Sequence, residues 1–380
     1  MKTYTHTFEC KDMISPVFSE WDFYPYNKYS HSNMCFFDIE TTGLSAAASS
    51  IYLIGAGHYE EDRFVVIQWF ADDYESEKDI LNAFLTHIAA YKVLLQYNGN
   101  TFDLPYVKSK CRTYRIPCDI LGTLVHIDLY SSLRRYSGLL NLPNKKLISF
   151  EQYVGLNRDD KYNGGELIQV YSEYMQNKYL KKDNDDLLHM LLLHNYEDIT
   201  GLSQVASLMF LKELDKLNLD VISCGVSSDT MTIIYKCDMP AAYSFSLDIP
   251  CISDDNGDCM AYINCRWGNK CIELVVPIIN YTFNYYFADY KDYYYMINEG
   301  TIMHKSVAIY TDSSVRRKAK KAECFVTNTG KYIPIKKHGC YSADMHIFRK
   351  DYTSKEYFIE YDESFTDDSE WLIRYYRQLF

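Results

Sequence analysis

Cys35-Phe36-Phe37-Asp38-Ile39-Glu40-Thr41-Thr42-Gly43-Leu44 reads as a short buried strand that carries two carboxylates and then breaks at a Thr-Thr-Gly turn. Side chains alternate faces along a strand, so Asp38 and Glu40 point one way while Phe37 and Ile39 point the other. Two carboxylates side by side on a core strand repel each other and resist desolvation, which costs free energy unless cations neutralise them. A divalent-metal site is the expectation for this strand. The alternative is a pair of acids solvated at a strand end.

Working outward, residues 51–57 and 64–70 read as further apolar strands. The Gly55-Ala56-Gly57 piece is not a phosphate loop, because neither a helix start nor a phosphate-binding Lys follows it. Ile80, Leu81, Phe84, Ile88 and Ala89 fall at helical spacing over residues 76–91, with Ser76 as the expected cap. A fourth strand, 93–97, runs into Asn98-Gly99-Asn100-Thr101-Phe102-Asp103-Leu104-Pro105. Asn-Gly signals a turn, and Thr101 followed by Asp103 and Pro105 reads as a helix beginning. Asp103 therefore stands at the mouth of a strand–turn–helix junction, where sites tend to be built; a first-turn acid is the bland reading.

His126-Ile127-Asp128-Leu129 is another short strand ending, and residues 131–180 mix loop and helix, with a Gly164-Gly165 break before a helix over 167–175. Residues 185–214 form the strongest helical run, with Leu188, Leu191, Leu192, Ile199, Leu202, Val205, Leu208 and Met209 on a wide apolar face. Residues four apart share a helix face, so His194 and Asp198 project together and Asn195 lies close by. A plain surface pair is the alternative at this point.

The bulk numbers set bounds. A length of 380 residues fits two or three domains. The net charge of −12 argues against a protein that coats duplex DNA by bulk electrostatics, but it leaves room for an enzyme that handles a strand end through a local groove, and metal ions in an acidic site would invert the local field. The twelve Cys form no Cys-x-x-Cys pair and no zinc-finger spacing. With no signal peptide at Met1-Lys2-Thr3, they read as reduced thiols of a cytoplasmic protein. No apolar run approaches the roughly 20 residues of a membrane span.

Three separated motifs carry a family resemblance: Phe-Asp-Ile-Glu-Thr-Thr-Gly-Leu at 37–44, Tyr-Asn-Gly-Asn-Thr-Phe-Asp-Leu-Pro at 97–105, and His-Asn-Tyr-Glu-Asp at 194–198. Together they resemble the three exonuclease motifs of the DEDD superfamily, in the YprB-like branch of ribonuclease H-like proteins. Ile127-Asp128-Leu129, the 141–147 segment, Phe150-Glu151 and Gly165-Glu166 ahead of Tyr171 support the match, which runs collinearly over about residues 33–212.

The resemblance implies that Asp38, Glu40, Asp103 and Asp198 bind two Mg2+ or Mn2+ ions and that His194 stands beside the attacking water. His194 precedes Asp198 by four residues, where the His-type exonucleases have five, so base and water-positioner both stay open as its role. Thr41 and Leu44 are expected to line the slot for the terminal base. Asn98 and Gly99 are expected to let backbone approach the scissile nucleotide, and Asp128 and Asn195 to support the ligands from behind. The implied activity is 3'-5' exonuclease hydrolysis of phosphodiester bonds at single-stranded or frayed DNA or RNA ends. The alternatives are a non-catalytic nucleic-acid-binding module and an interaction scaffold retaining the fold.

The expected organisation is a lead-in segment over 1–33 with little regular structure, a ribonuclease H-like α/β domain over 34–215 (a mixed sheet flanked by helices), and a β-rich accessory domain over 220–380. In this last region the strand-like runs are 272–276, 281–287, 293–297, 306–310, 325–327 and 357–361, separated by Gly257, Gly268, Gly300 and Gly330. Residues 311–340 hold eight Lys or Arg against Asp312 and Glu323, a local excess of six positive charges. Phosphate binding and a solvated basic face are the two readings of that stretch.

Overall fold

The computed structural model describes residues 1–9, 25, 27–239, 244–254, 256–336 and 345–380. Trp21, Phe23, Tyr24 and Tyr26 of the expected lead-in lie outside the described residues, as do Cys10, Lys337 and Cys340. The chain divides into two units, Met1–Glu213 and Leu214–Phe380.

The N-terminal unit is built on a six-stranded sheet of order β1-β4-β3-β2-β5-β6. Its strands are β1 (Lys2–Glu9), β2 (Met34–Thr41), β3 (Ile51–Glu60), β4 (Arg63–Phe70), β5 (Val93–Gln96) and β6 (Val125–Asp128). β2 lies between antiparallel β3 and parallel β5, so the acidic strand runs through the middle of a mixed sheet. β1 departs from the expectation for residues 1–33: it pairs with β4 along its whole length as an edge strand. Thr3, Thr5 and Thr7 alternate there with Tyr4, His6 and Phe8, a period-two pattern with strand propensity.

The alternation along β2 sorts the two faces. Cys35, Phe37 and Ile39 enter a core with α1 (Glu77–Ile88) and α2 (Asp103–Tyr114), where Phe37 stacks on Phe84 at 5.2 Å. The other face of the sheet is covered by helices further along the chain. Between α2 and these come the short helices α3 (Ile120–Thr123), α4 (Leu129–Leu133) and α5 (Leu147–Tyr153). α6 (Gly164–Tyr179) and α7 (Asp185–Val205) then pack Leu167, Tyr171, Tyr174 and Leu191 against Tyr52, Leu53 and Phe70. Asp38 and Glu40 therefore turn toward the α7 side.

Three local expectations change. Asp73, not Ser76, caps the turn before α1, its Oδ1 accepting from the Glu75 and Ser76 amides. Gly164-Gly165 is the first turn of α6 rather than a break, because Asn163 and Glu166 close a reciprocal cap over it. α7 ends at Val205, and the chain tightens into 3-10 turns over Ala206–Lys212.

The C-terminal unit is β-rich. An antiparallel sheet of order β7-β8-β11-β10-β9 is formed by β7 (Leu219–Val226), β8 (Thr230–Cys237), β9 (Phe245–Ser253), β10 (Cys259–Gly268) and β11 (Cys271–Pro277). A small closed barrel joins β12 (Ile279–Tyr286) to a long strand over Phe325–Ile335 and to two short ones, Phe348–Arg349 and Tyr357–Glu360. A three-stranded sheet is made of Tyr293–Met296, Thr301–His304 and Arg316–Lys318. The expected strand at 306–310 is instead a short helix, α8 (Lys305–Ala308), started by His304, whose Nδ1 accepts from the Ser306 amide. A last helix, α9 (Ser369–Arg377), packs Tyr376 on Trp267 and receives the Tyr235 hydroxyl at the Leu372 carbonyl.

Candidate functional site

Three distant segments approach one another at β2. The strand supplies Asp38 and Glu40, α2 supplies Asp103 from its first turn, and α7 supplies His194, Asn195 and Asp198. A register shift in the β2–β3 ladder falls between Glu40 and Thr41, where a local irregularity re-aims side chains. α7 can lie this close to the sheet because Gly55 has no side chain: a Cβ there would stand 2.2 Å from Asn195 Oδ1.

Glu40, His194 and Asp198 each turn a ligand atom inward, all within 4.8 Å of one another. His194 Nε2 lies 3.6 Å from Glu40 Oε1 and 3.4 Å from Asp198 Oδ2. Asp38 Oδ2 accepts from Asn195 Nδ2 at 3.1 Å, and Asn195 Oδ1 in turn accepts from the fully buried Gln68. Asp103 Oδ1 accepts from the Ile39 amide at 3.3 Å, which ties the start of α2 to the strand between the two β2 acids.

The electrostatics are those of buried carboxyls set close together. Burial, then the charges of Asp198, Asp103 and Glu40, push the Asp38 carboxyl well above its usual range. Burial raises Glu40 to about 8; His194 opposes this, while Asp198, Asp103 and Asp160 add to it. Asp103 rises to about 7 through burial, with Asp198 and Asp128 adding to the effect against the amide bonds it accepts. Burial disfavours the charged His194 ring, but Asp198, Glu40 and Asp160 outweigh it and raise the imidazole. Burial and neighbouring carboxylates thus raise the three carboxyls, and the same carboxylates raise the imidazole by favouring its charged form.

The remaining expected residues fall around this cluster. Asn98 adopts the left-handed backbone conformation (φ 61°), and the Gly99 carbonyl receives the Leu104 amide as α2 begins. Asp128 does not reach into the cluster. Its two oxygens accept from the Asn98, Asn100 and Ser131 amides, so it holds the turn that leads to Asp103. Thr41 is buried and donates to the Gly43 carbonyl, while Leu44 is 86% exposed.

Two residues that the sequence reading did not single out touch the cluster directly. Arg158 pairs with Asp198, and Asp160 accepts from His194 Nδ1 at 2.6 Å. Both sit in a polar loop whose composition looks like any solvated turn, so only their tertiary contacts reveal them. Tyr52, stacked on Tyr171 at 4.3 Å, was read only as a strand residue, yet its buried phenol stands beside Glu40 and is raised by that charge after burial.

A mixed sheet with a central acidic strand, an acid opening the next helix, and a His/Asp pair on a helix crossing the sheet define a ribonuclease H-like α/β domain. Residues 35–210 match the family model of the RNase_H superfamily, and this part of the chain is ribonuclease H-like. The chain is 30% identical over 176 residues to the uncharacterized protein YprB of Bacillus subtilis (strain 168), a match over 46% of this chain and 41% of that protein. The match thus spans less than half the length of that relative.

Among solved structures, the chain is similar to the family B DNA polymerase of the hyperthermophilic archaeon Pyrobaculum calidifontis. That match has 15% identity over 48% of this chain and 26% of that one, at a TM-score of 0.38. It is also similar to E. coli exonuclease I in complex with a dT13 oligonucleotide, with 18% identity over 42% and 43% of the two chains, at a TM-score of 0.25. No helix among the described residues is long and apolar enough to cross a membrane.

Proposed function

We propose that the N-terminal unit is a DEDD-type exonuclease that hydrolyses phosphodiester bonds at the 3' end of a single-stranded or frayed nucleic acid. The observation that carries this reading is the group of Glu40, His194 and Asp198, whose ligand atoms lie within 4.8 Å of one another, with Asp38 and Asp103 near enough to be raised by the Asp198 charge. Buried carboxylates left in mutual repulsion are costly to stability, so their retention points to a cation they are built to hold.

The donor set fits that role. Oxygen ligands from Asp38, Glu40, Asp103 and Asp198, with no Cys or Met among them, select hard cations such as Mg2+ or Mn2+. When bound, a pair of such ions acidifies the attacking water and stabilises the leaving oxygen. The chain's own residues do the rest. His194 Nε2, on the inner side of the cluster, accepts or orients the proton of the water. Asn195 fixes Asp38, and Asp128 fixes the 98–100 turn against which the scissile nucleotide is held. Leu44 is free to stack on the terminal base beside Thr41. The ten cysteines among the described residues are free thiols, which suits a reducing, cytoplasmic compartment. The β-rich unit is proposed to be an accessory domain.

The test uses 5'-end-labelled DNA and RNA oligomers with Mn2+ or with chelator, comparing wild type and Asp38→Ala. The expected result is a Mn2+-dependent ladder shortening from the 3' end with wild type and none with the variant. Cleavage by Asp38→Ala at the wild-type rate overturns the assignment.

A further inference from the structure

The loop between α5 and α6, residues 154–163, crosses α7 at the site, and three α7 residues on one face grip it. His194 donates from Nδ1 to Asp160. Glu197 accepts the Asp159 amide at 2.8 Å and the Asp160 amide at 3.0 Å. Asp198 Oδ1 accepts from Arg158 Nη2. Spacings of three and four place these residues along one stripe of the helix.

The anchoring continues behind the loop. Arg158 is also held by Glu151, whose two oxygens accept from Nε and from the same Nη2 that serves Asp198, at 2.6 and 2.7 Å. The Glu151 carboxylate is 1% exposed and presses on α7 where Gly201 leaves room; a Cβ at Gly201 would stand 1.8 Å from Glu151 Oε1. The Asp160 side chain is 3% exposed.

We propose that this loop is a working part of the site, with Asp160 as the positioning residue for His194 and Arg158 as the positioning residue for Asp198. The proposal rests on the nuclease reading above. Each contact divides a functional group in two. One imidazole nitrogen is tied to Asp160, so the other faces Glu40 and Asp198. One Asp198 oxygen is tied to Arg158, so the other faces His194. A buried Glu–Arg–Asp triad contributes little to stability relative to apolar packing, whereas fixing the orientation of ligand-bearing side chains is the usual task of such partners.

The test compares wild type with Asp160→Asn, Asp160→Ala, Asp160→Glu, Arg158→Met and Arg158→Lys. Steady-state cleavage of the labelled oligomer with Mn2+ is read alongside the proton NMR signal of the His194 Nδ1–H. Asp160→Ala and Arg158→Met are expected to lower kcat about 10–100-fold with KM within about twofold, and the Glu and Lys variants to recover part of the loss. The Nδ1–H signal is expected far downfield and protected from exchange in wild type, and lost in Asp160→Ala. The Asn variant, which keeps the shape of the side chain, covers the case in which Ala fails to fold. Active wild type, inactive Asp38→Ala and unchanged kcat in the Asp160 and Arg158 variants overturn this proposal alone. A wild type that cleaves nothing with Mn2+ overturns the nuclease reading, and this inference with it.

Discussion

In the C-terminal unit, Glu323 lies in the fork of the Arg317 guanidinium and is held down to about 2, whereas Glu40 in the N-terminal unit rises to about 8. The contrast extends beyond one pair. Asp254, Asp312, Asp351 and Asp362 all accept amide or hydroxyl hydrogen bonds within turns, and all are lowered. Asp38, Glu40 and Asp103 sit among one another and are all raised. The first group uses charge to finish the backbone of a β-rich fold. The second is buried where the charged form is disfavoured. The acids that finish turns are lowered, whereas the buried acids proposed to hold cations are raised.

The largest effect that can break this comparison is on cleavage. Asp38→Ala is expected to reduce Mn2+-dependent hydrolysis at least about 1,000-fold, the scale of losing charge stabilisation worth several kcal/mol. His194→Ala is expected to reduce it about 100- to 10,000-fold, with Mn2+ affinity in calorimetry largely kept.

Next comes pH. With chelator present, the folded protein binds more protons than the unfolded chain between the ordinary values of 3.8 and 4.5 and the raised values of about 7 and about 8. Stability from these groups is therefore present at low pH and lost as pH rises through that window. The unfolding temperature of the N-terminal unit in chelator is expected to fall between pH 5.5 and pH 8.5, and Mn2+ to restore it at the upper end. Asp38→Asn, which removes one repelling charge, is expected to raise that temperature by about 2–4 °C in chelator at pH 8.5 while abolishing cleavage. Scanning calorimetry at the two pH values checks both; a wild type equally stable at each contradicts the comparison.

The smallest effect is the mirror case. Glu323 is lowered from 4.5 to about 2, so its contribution is present at neutral pH and lost as pH falls through that interval. Glu323→Gln is expected to shift the unfolding temperature by no more than about 2 °C at pH 7 and to leave cleavage unchanged, as for an exposed ion pair.

The parts of the fold legible in the sequence are those where the period of the hydrophobic pattern fixes a face. Phe37 and Ile39 against Asp38 and Glu40 gave the two sides of β2, and the leucines of α7 placed His194 beside Asp198. What stayed hidden depends on contacts across long loops. Asn157-Arg158-Asp159-Asp160-Lys161 is a run of polar residues with no periodicity, so nothing local distinguishes the two that reach α7.

In the basic stretch of the second half, Arg317 pairs with Glu323 and Lys336 turns in to the Pro250 carbonyl. Counting charges along a chain reports composition; only packing reports which of them face a ligand.

The measurement closest to the central claim is calorimetric titration of wild type and Asp38→Ala with Mn2+ at pH 7 in buffers of different ionisation enthalpy. The account predicts that wild type binds two ions per chain and releases protons as Glu40 and Asp103 give theirs up, and that Asp38→Ala loses this binding. A wild type that takes up no Mn2+, or a variant that binds it with the same affinity and the same proton release, would contradict the account.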